Sequence, residues 1–152
     1  MIESIIEMIT ALASNSSPLI FTTDIIRTRS ANCCGWLQRR EATQLYKILE
    51  GGRYEASFNA NVTSATAGTV ALGLFQDGVL LPGTTVIAEI ATPGDYYNVS
   101  FDRIVEVCCR DKSTLTVASV PNVLTGAVAP GTPVETEIPV IQNANFILHK
   151  RS

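Results

Sequence analysis

Between Arg53 and Val62 the chain alternates without a break: Tyr54, Ala56, Phe58, Ala60 and Val62 lie on one phase, and Arg53, Glu55, Ser57, Asn59 and Asn61 on the other. A period of two sends each set to its own side of a pleated backbone, so the pattern predicts a half-buried β-strand. Gly51 and Gly52 open it, and the small residues from Ser64 to Gly68 supply a turn before Val70, Leu72 and Leu74 resume the alternation. Asp77-Gly78 is a tight-hairpin signal, because such turns need positive φ. Leu81-Pro82-Gly83 and Pro93-Gly94-Asp95 bracket a further strand around Val86 to Ile90. Tyr97, Val99 and Phe101 share a phase that Val105, Val107 and Cys109 continue; Arg103 alone interrupts it, which predicts a bulge or corner at Asp102–Ile104. Leu115 and Val117 mark the next strand, Ile138 to His149 the last, and Phe21 to Thr28 and Tyr46 to Leu49 add two nearer the start. The expected fold class is all-β: a jelly-roll sandwich of about eight to ten short antiparallel strands.

Two stretches depart from this rhythm. Ile2, Ile5, Ile9 and Leu12 recur at alternating spacings of three and four, with Glu3 and Glu7 off the line they trace. These are the a and d positions of two heptads and predict a short amphipathic helix. Asn15-Ser16-Ser17-Pro18 ends it, so the expected organisation is a helix and linker over 1–18 and a jelly-roll domain over 19–152. Isoleucine at both seam positions favours three or more helices, which makes Ile2, Ile5, Ile9 and Leu12 the candidate trimer or particle contact. Two heptads are marginal alone, and packing of the helix on its own domain or on a neighbour is the alternative. Ala11-Leu12-Ala13 copies a signal-peptidase spacing, but Glu3 and Glu7 stand where a secretory leader carries positive charge, so the segment is expected to be retained. The second departure is Ser119 to Val134, where three prolines and two glycines interleave with apolar residues and no charge occurs before Glu135. An ordered loop packed on a neighbour or exposed at a tip is expected there, against a flexible insertion.

Composition supports the β reading and suggests assembly. Val, Ile and Thr together make 43 of the 152 residues, and such branched side chains suit a pleated sheet. Charged residues are only 16% against roughly 25% in an average soluble domain, so disorder is excluded and a surface shared with other chains is expected. Charge is uneven: residues 1–26 are net −3, residues 27–53 net +4 and the remainder net −4. With no Lys/Arg run and a pI near 5.1, nucleic-acid binding is not expected, and the basic stretch reads either as solvated side chains or as a contact for an acidic neighbour. No stretch approaches the ~18–20 apolar residues of a membrane span, so no membrane partner is expected.

Chemistry finds little footing. Cys33-Cys34 and Cys108-Cys109 invite a metal reading, but zinc pairs use spacings such as Cys-x₂-Cys, whereas adjacent strand residues face opposite ways. Structural burial, a disulfide between the pairs and a metal site stay open, with Cys109 on the core phase and Cys108 on the solvent phase. His149 is the only histidine, and no nucleophile-elbow, phosphate-loop or His-Glu metal motif occurs; no enzyme activity, cofactor or metal is expected. Trp36, Tyr96 and Tyr97 suit either a sugar face or core and subunit contacts.

Gly52-Arg53-Tyr54-Glu55-Ala56-Ser57-Phe58, Val70 to Gly78 and the closing Asn143-Ala144-Asn145-Phe146-Ile147-Leu148 resemble the central and final strands of tumour necrosis factor and complement-type jelly rolls. Within that superfamily the compact size, the Cys-Cys pairs and the Gln-Asn-Ala-Asn ending look most similar to small virion proteins of phages infecting Firmicutes, over roughly residues 19–150. The resemblance implies a homotrimer with an apolar threefold axis, displayed on a virion surface as a head fibre or capsid decoration after synthesis in the bacterial host cytoplasm. Its implied partners are other phage virion proteins, in the capsid or fibre base. A receptor- or glycan-binding fibre tip, with a host surface glycan as partner, is the alternative the same fold allows.

Overall fold

The computed structural model describes residues 2–27, 36–38, 45–108, 112–124 and 132–151. Fourteen strands are found among them, all paired antiparallel: β1 (Ile2–Ile6), β2 (Thr10–Ala11), β3 (Thr23–Arg27), β4 (Leu37–Gln38), β5 (Tyr46–Ile48), β6 (Gly52–Ser64), β7 (Gly68–Gln76), β8 (Val79–Leu80), β9 (Val86–Ile90), β10 (Tyr97–Val107), β11 (Ser113–Ser119), β12 (Asn122–Leu124), β13 (Pro133–Glu135) and β14 (Pro139–Lys150). The front sheet has the order β10-β6-β14-β1-β3, with β2 also on β14; the back sheet has the order β4-β5-β11-β7-β8, with β9 also on β7. The two form the sandwich that the alternation predicts.

The core between the sheets is aromatic. Phe58, Phe101 and Phe146 come from the front sheet and Tyr46 from the back; Phe21, in the connection from β2 to β3, packs 5.9 Å from Phe146 and 6.3 Å from Tyr46, ring centre to ring centre. Phe58 and Phe101 stack across β6 and β10 at 5.3 Å. Each buried aromatic of this kind contributes about 1.5–3 kcal/mol of hydrophobic free energy. Trp36, half-buried, lies 5.1 Å from the ring of Tyr54 at the margin of the same core. Burial and then the Glu50 carboxylate push the Tyr54 phenol up to about 12.

The N-terminal expectation is corrected. Residues Ile2–Ile6 form β1, which lies between β14 and β3, and there is no helix among the described residues. Ile2, Ser4 and Ile6 are buried on one phase, so the period is two. Ile5, apolar on the opposite phase, creates the three-four spacing by coincidence. Two helical turns gain little by themselves, whereas a strand seated between two others gains hydrogen bonds on both edges. The expected bulge near Arg103 is also absent: β10 and β6 stay in register from Tyr97↔Val62 to Val107↔Gly52. Arg103 keeps the inward phase because β10 is an edge strand and its long side chain can leave sideways. In the stretch 119–134, Asn122–Leu124 pairs antiparallel with Pro133–Glu135, and the loop expectation for residues 125–131 falls outside the described residues.

A bulge does occur in β14, where the register with β6 slips between Gln142 and Asn145. Asn143 sits there at φ 52°, in the left-handed region that asparagine tolerates better than most residues. The extra residue moves the buried phase from Ile141 to Ala144, Phe146 and Leu148. Without it, every later side chain of the strand would change face.

Candidate functional site

On the outward face of the front sheet, register places the side chains in rows, since directly opposed residues share a face. Nearest the chain ends, Arg53 stands opposite Glu106, and the two pair at 3.0 Å. The next row runs His149, Glu55, Ile104; the Glu55 carboxylate is held by Arg151 at 2.9 Å. Then come Glu3, Ile147, Ser57 and Asp102, with Ser57 Oγ donating to Asp102 Oδ1. The following row is Thr23, Ile5, Asn145, Asn59 and Ser100, and beyond the β14 bulge lie Gln142, Asn61 and Asn98.

The face is therefore graded. One end is charged but internally paired, and exposed pairs of this kind contribute about 0–1 kcal/mol each. The other end is a carpet of amides: Asn98 Nδ2 donates to Asn59 Oδ1 at 2.8 Å and to Asn61 Oδ1 at 3.1 Å, and Asn145 Nδ2 donates to Glu3 Oε1 at 3.2 Å. Between them Ile5 and Ile147 sit half-buried on neighbouring strands, and Ile104 and Ile25 stand out toward the two edges at 48% and 57% exposure. Side chains that satisfy one another leave a flat surface whose desolvation costs little, while the isoleucines gain from being covered. Such an arrangement suits contact with another surface. His149, exposed, stands opposite Glu55, whose carboxylate is already taken by Arg151.

The sequence-predicted contact residues are dispersed. Ile2 is fully buried in the core, Ile5 is on the outward face, Ile9 is exposed in the connection between β1 and β2, and Leu12 packs against the core margin. They do not form a seam. Trp36 is separated from the other two aromatics in role: it packs on Tyr54, whereas Tyr96 and Tyr97 stand 36% and 40% exposed at the start of β10, next to Asn98. Cys108 is exposed with a free thiol; Cys33, Cys34 and Cys109 lie outside the described residues, as do Arg29, Arg39 and Arg40 of the basic stretch. Sequence reasoning missed the amide carpet. Its signal was present in β6 and β10, where the polar phase uses Asn and Ser at Ser57, Asn59, Asn61, Asn98 and Ser100 in place of the usual charged residues.

A solved structure with the same architecture is the globular domain of the zebrafish complement 1qA protein, which superposes with a TM-score of 0.59 at 14% identity, covering 99% of this chain and 98% of that one. A weaker overlap is found with a family 35 carbohydrate-binding module from Clostridium thermocellum, with a TM-score of 0.35 and 6% identity over 73% of this chain and 85% of that one. No family model matches the chain, and no curated protein matches it. The first likeness shows that the chain shares a jelly-roll fold with that complement domain, the fold class that the strand patterns predict. Neither structure is a virion protein.

Proposed function

We propose that this chain is an assembly and display module that works as a homotrimer, joined through the outward face of its front sheet, and that it decorates a phage particle as a capsid decoration or head-fibre component. The observation that carries the assembly reading is the graded face itself: half-buried Ile5 and Ile147 at its centre, exposed Ile25 and Ile104 toward its edges, and polar groups that are already paired with one another. A non-enzymatic role accords with a flat, self-satisfied surface. The virion setting rests on the resemblance of size and of the Gln142–Asn145 ending to phage virion proteins.

Sedimentation tests the assembly. The protein should behave as three times 16.3 kDa, and Ile147→Asp should give a folded monomer, because a buried unpaired carboxylate is costly only if another copy covers it. A parent protein that is monomeric at micromolar concentration would overturn the reading. Immunogold labelling of particles from the source phage addresses the setting, and unlabelled particles would exclude it. Exposed Tyr96, two residues before Asn98 of the amide carpet, favours one alternative, a receptor- or glycan-binding fibre tip. Glycan binding that is lost in Tyr96→Ala while the trimer persists would select that alternative.

A further inference from the structure

The strands at the sheet edges are unequal in length. β3, β4, β8 and β9 run two to five residues, whereas β10, at the end of the front sheet, runs eleven, with no proline and no bulge against β6. The main-chain oxygen of Arg53, on β6, accepts from the Arg151 N–H, so Arg53 turns its backbone groups toward the β14 side. Glu106 stands opposite Arg53 and therefore turns its own away from β6; its oxygen accepts from Gln76 Nε2 at 3.1 Å. Backbone polarity alternates with period two along an antiparallel ladder, so Asn98, Ser100, Asp102 and Ile104 also direct N–H and C=O groups to the free edge. All four residues are exposed, and no backbone partner for these groups is found among the described residues.

An edge of this kind is a template for another strand. In two copies related by a two-fold axis, the β10 edges would meet antiparallel, with even-numbered residues opposite even-numbered ones. With Phe101 at the axis, Ser100 faces Asp102, Asn98 faces Ile104 and Tyr97 faces Val105, so no like charges meet directly and the inward row is aromatic and branched. Arg103 alone spoils that row. It would stand opposite Val99, and in every such register it meets another odd-numbered residue of β10, none of which is acidic. Its Nε is already buried with no acceptor among the described residues, and an added strand would strip water from the rest of a guanidinium that keeps its charge in any protein environment. We infer that Arg103 is an edge guard, an inward-phase charge that prevents β10 from pairing with the β10 of a second copy. The excluded occupant is a second copy because polarity and register make this edge complementary to itself at every position except 103. Edge and outward face are different surfaces, so the inference does not depend on the trimer reading.

Arg103→Val tests it. The variant removes a charge from an inward position and supplies a branched side chain suited to a strand, so it should fold. In sedimentation at about 1–100 μM its mass should reach at least twice that of the same chain carrying Arg103, whatever number of copies the outward face joins. Hydrogen exchange locates the contact. The N–H groups of Ser100, Asp102 and Ile104 should exchange rapidly in the parent and about tenfold or more slowly in the associated variant, while those of Val99, Phe101 and Val105, which face β6, stay slow in both. Arg103→Lys keeps the charge and should sediment as the parent does. Adding Ser100→Pro to Arg103→Val should restore the parent mass, because proline removes a free-edge donor without costing a bond to β6. The proposal is overturned by an Arg103→Val chain that keeps the parent mass or does not fold, by association that Ser100→Pro leaves intact, or by Ser100, Asp102 and Ile104 amides already protected in the parent.

Discussion

Asp77 shows how much one side chain can tie together. It holds φ 51° in the turn before Gly78 at φ 82°, so the first two residues of the hairpin loop are both left-handed. Its carboxylate accepts from Ser113 Oγ and from the Thr114 backbone N–H at 2.9 Å, which fastens the β7–β8 turn to the start of β11. The Ser113 hydroxyl first, then the Thr114 amide, hold its carboxyl below the usual carboxylate value. A folded-state pKa lower than the unfolded one gives stability that is present above the unfolded carboxyl range near pH 4 and lost as pH falls through the folded value. Asp77→Asn keeps the left-handed preference and removes the charge, so it should cost about 1 kcal/mol at neutral pH. Urea unfolding across the acid range should show that difference vanishing below the folded pKa. A difference independent of pH would assign the effect to the turn alone. Asn143 provides a second test at the same scale. Asn143→Gly should be near neutral and Asn143→Val should destabilise by about 1–2 kcal/mol in the same assay, because a branched Cβ clashes in the left-handed region.

At the level of elements, β6, β9 and β10 were legible because each buries chiefly one phase of its alternation, while β7, buried on both phases, and β14, which switches phase at its bulge, were marked by their apolar runs and by the Gly and Asp of the neighbouring turns. β1 was not legible. Its buried phase includes Ser4, and its outward phase includes Ile5, so hydrophobicity alone fits a helix as well as a strand; only the slot between β14 and β3 decides. The two readings differ in a measurable way. A helical seam would make Ile2, Ile5 and Ile9 equivalent, whereas the strand makes Ile2→Ala and Ile6→Ala each cost about 2–5 kcal/mol and leaves Ile9→Ala within about 0.5. Chemical denaturation of the three variants separates them. Arg103 misled in the opposite way: a charge on an inward phase reads as a broken strand, and a linear sequence does not reveal that the strand lies at an edge with a cleft to receive the side chain. The outward face escaped for a related reason, since its rows join residues from β1, β6, β10 and β14 that are up to about 140 positions apart, as in the Glu3–Asn145 hydrogen bond.

For the whole molecule, the two sheets differ in how far along the chain their strands are drawn from. The back sheet is made wholly of residues between Leu37 and Ser119, whereas the front sheet joins β1 to β14, with Ile2 opposite Leu148. Strand β14 bonds to β6 on one side and to β1 and β2 on the other, so the segment nearest the carboxyl end is the internal member of its sheet. On a ribosome, therefore, the back sheet can pair while β1 and β6 still wait for their common neighbour. During that interval Ile2, Ile6, Phe58 and Ala60 lack Ala144, Phe146 and Leu148 of β14 between them, and non-local closure of this kind is slow. The nascent chain thus passes through an open-sided stage in which its stickiest surface is the one later sealed by β14, and the yield of folded protein in the cell is governed by how well that surface is shielded until the last strand emerges.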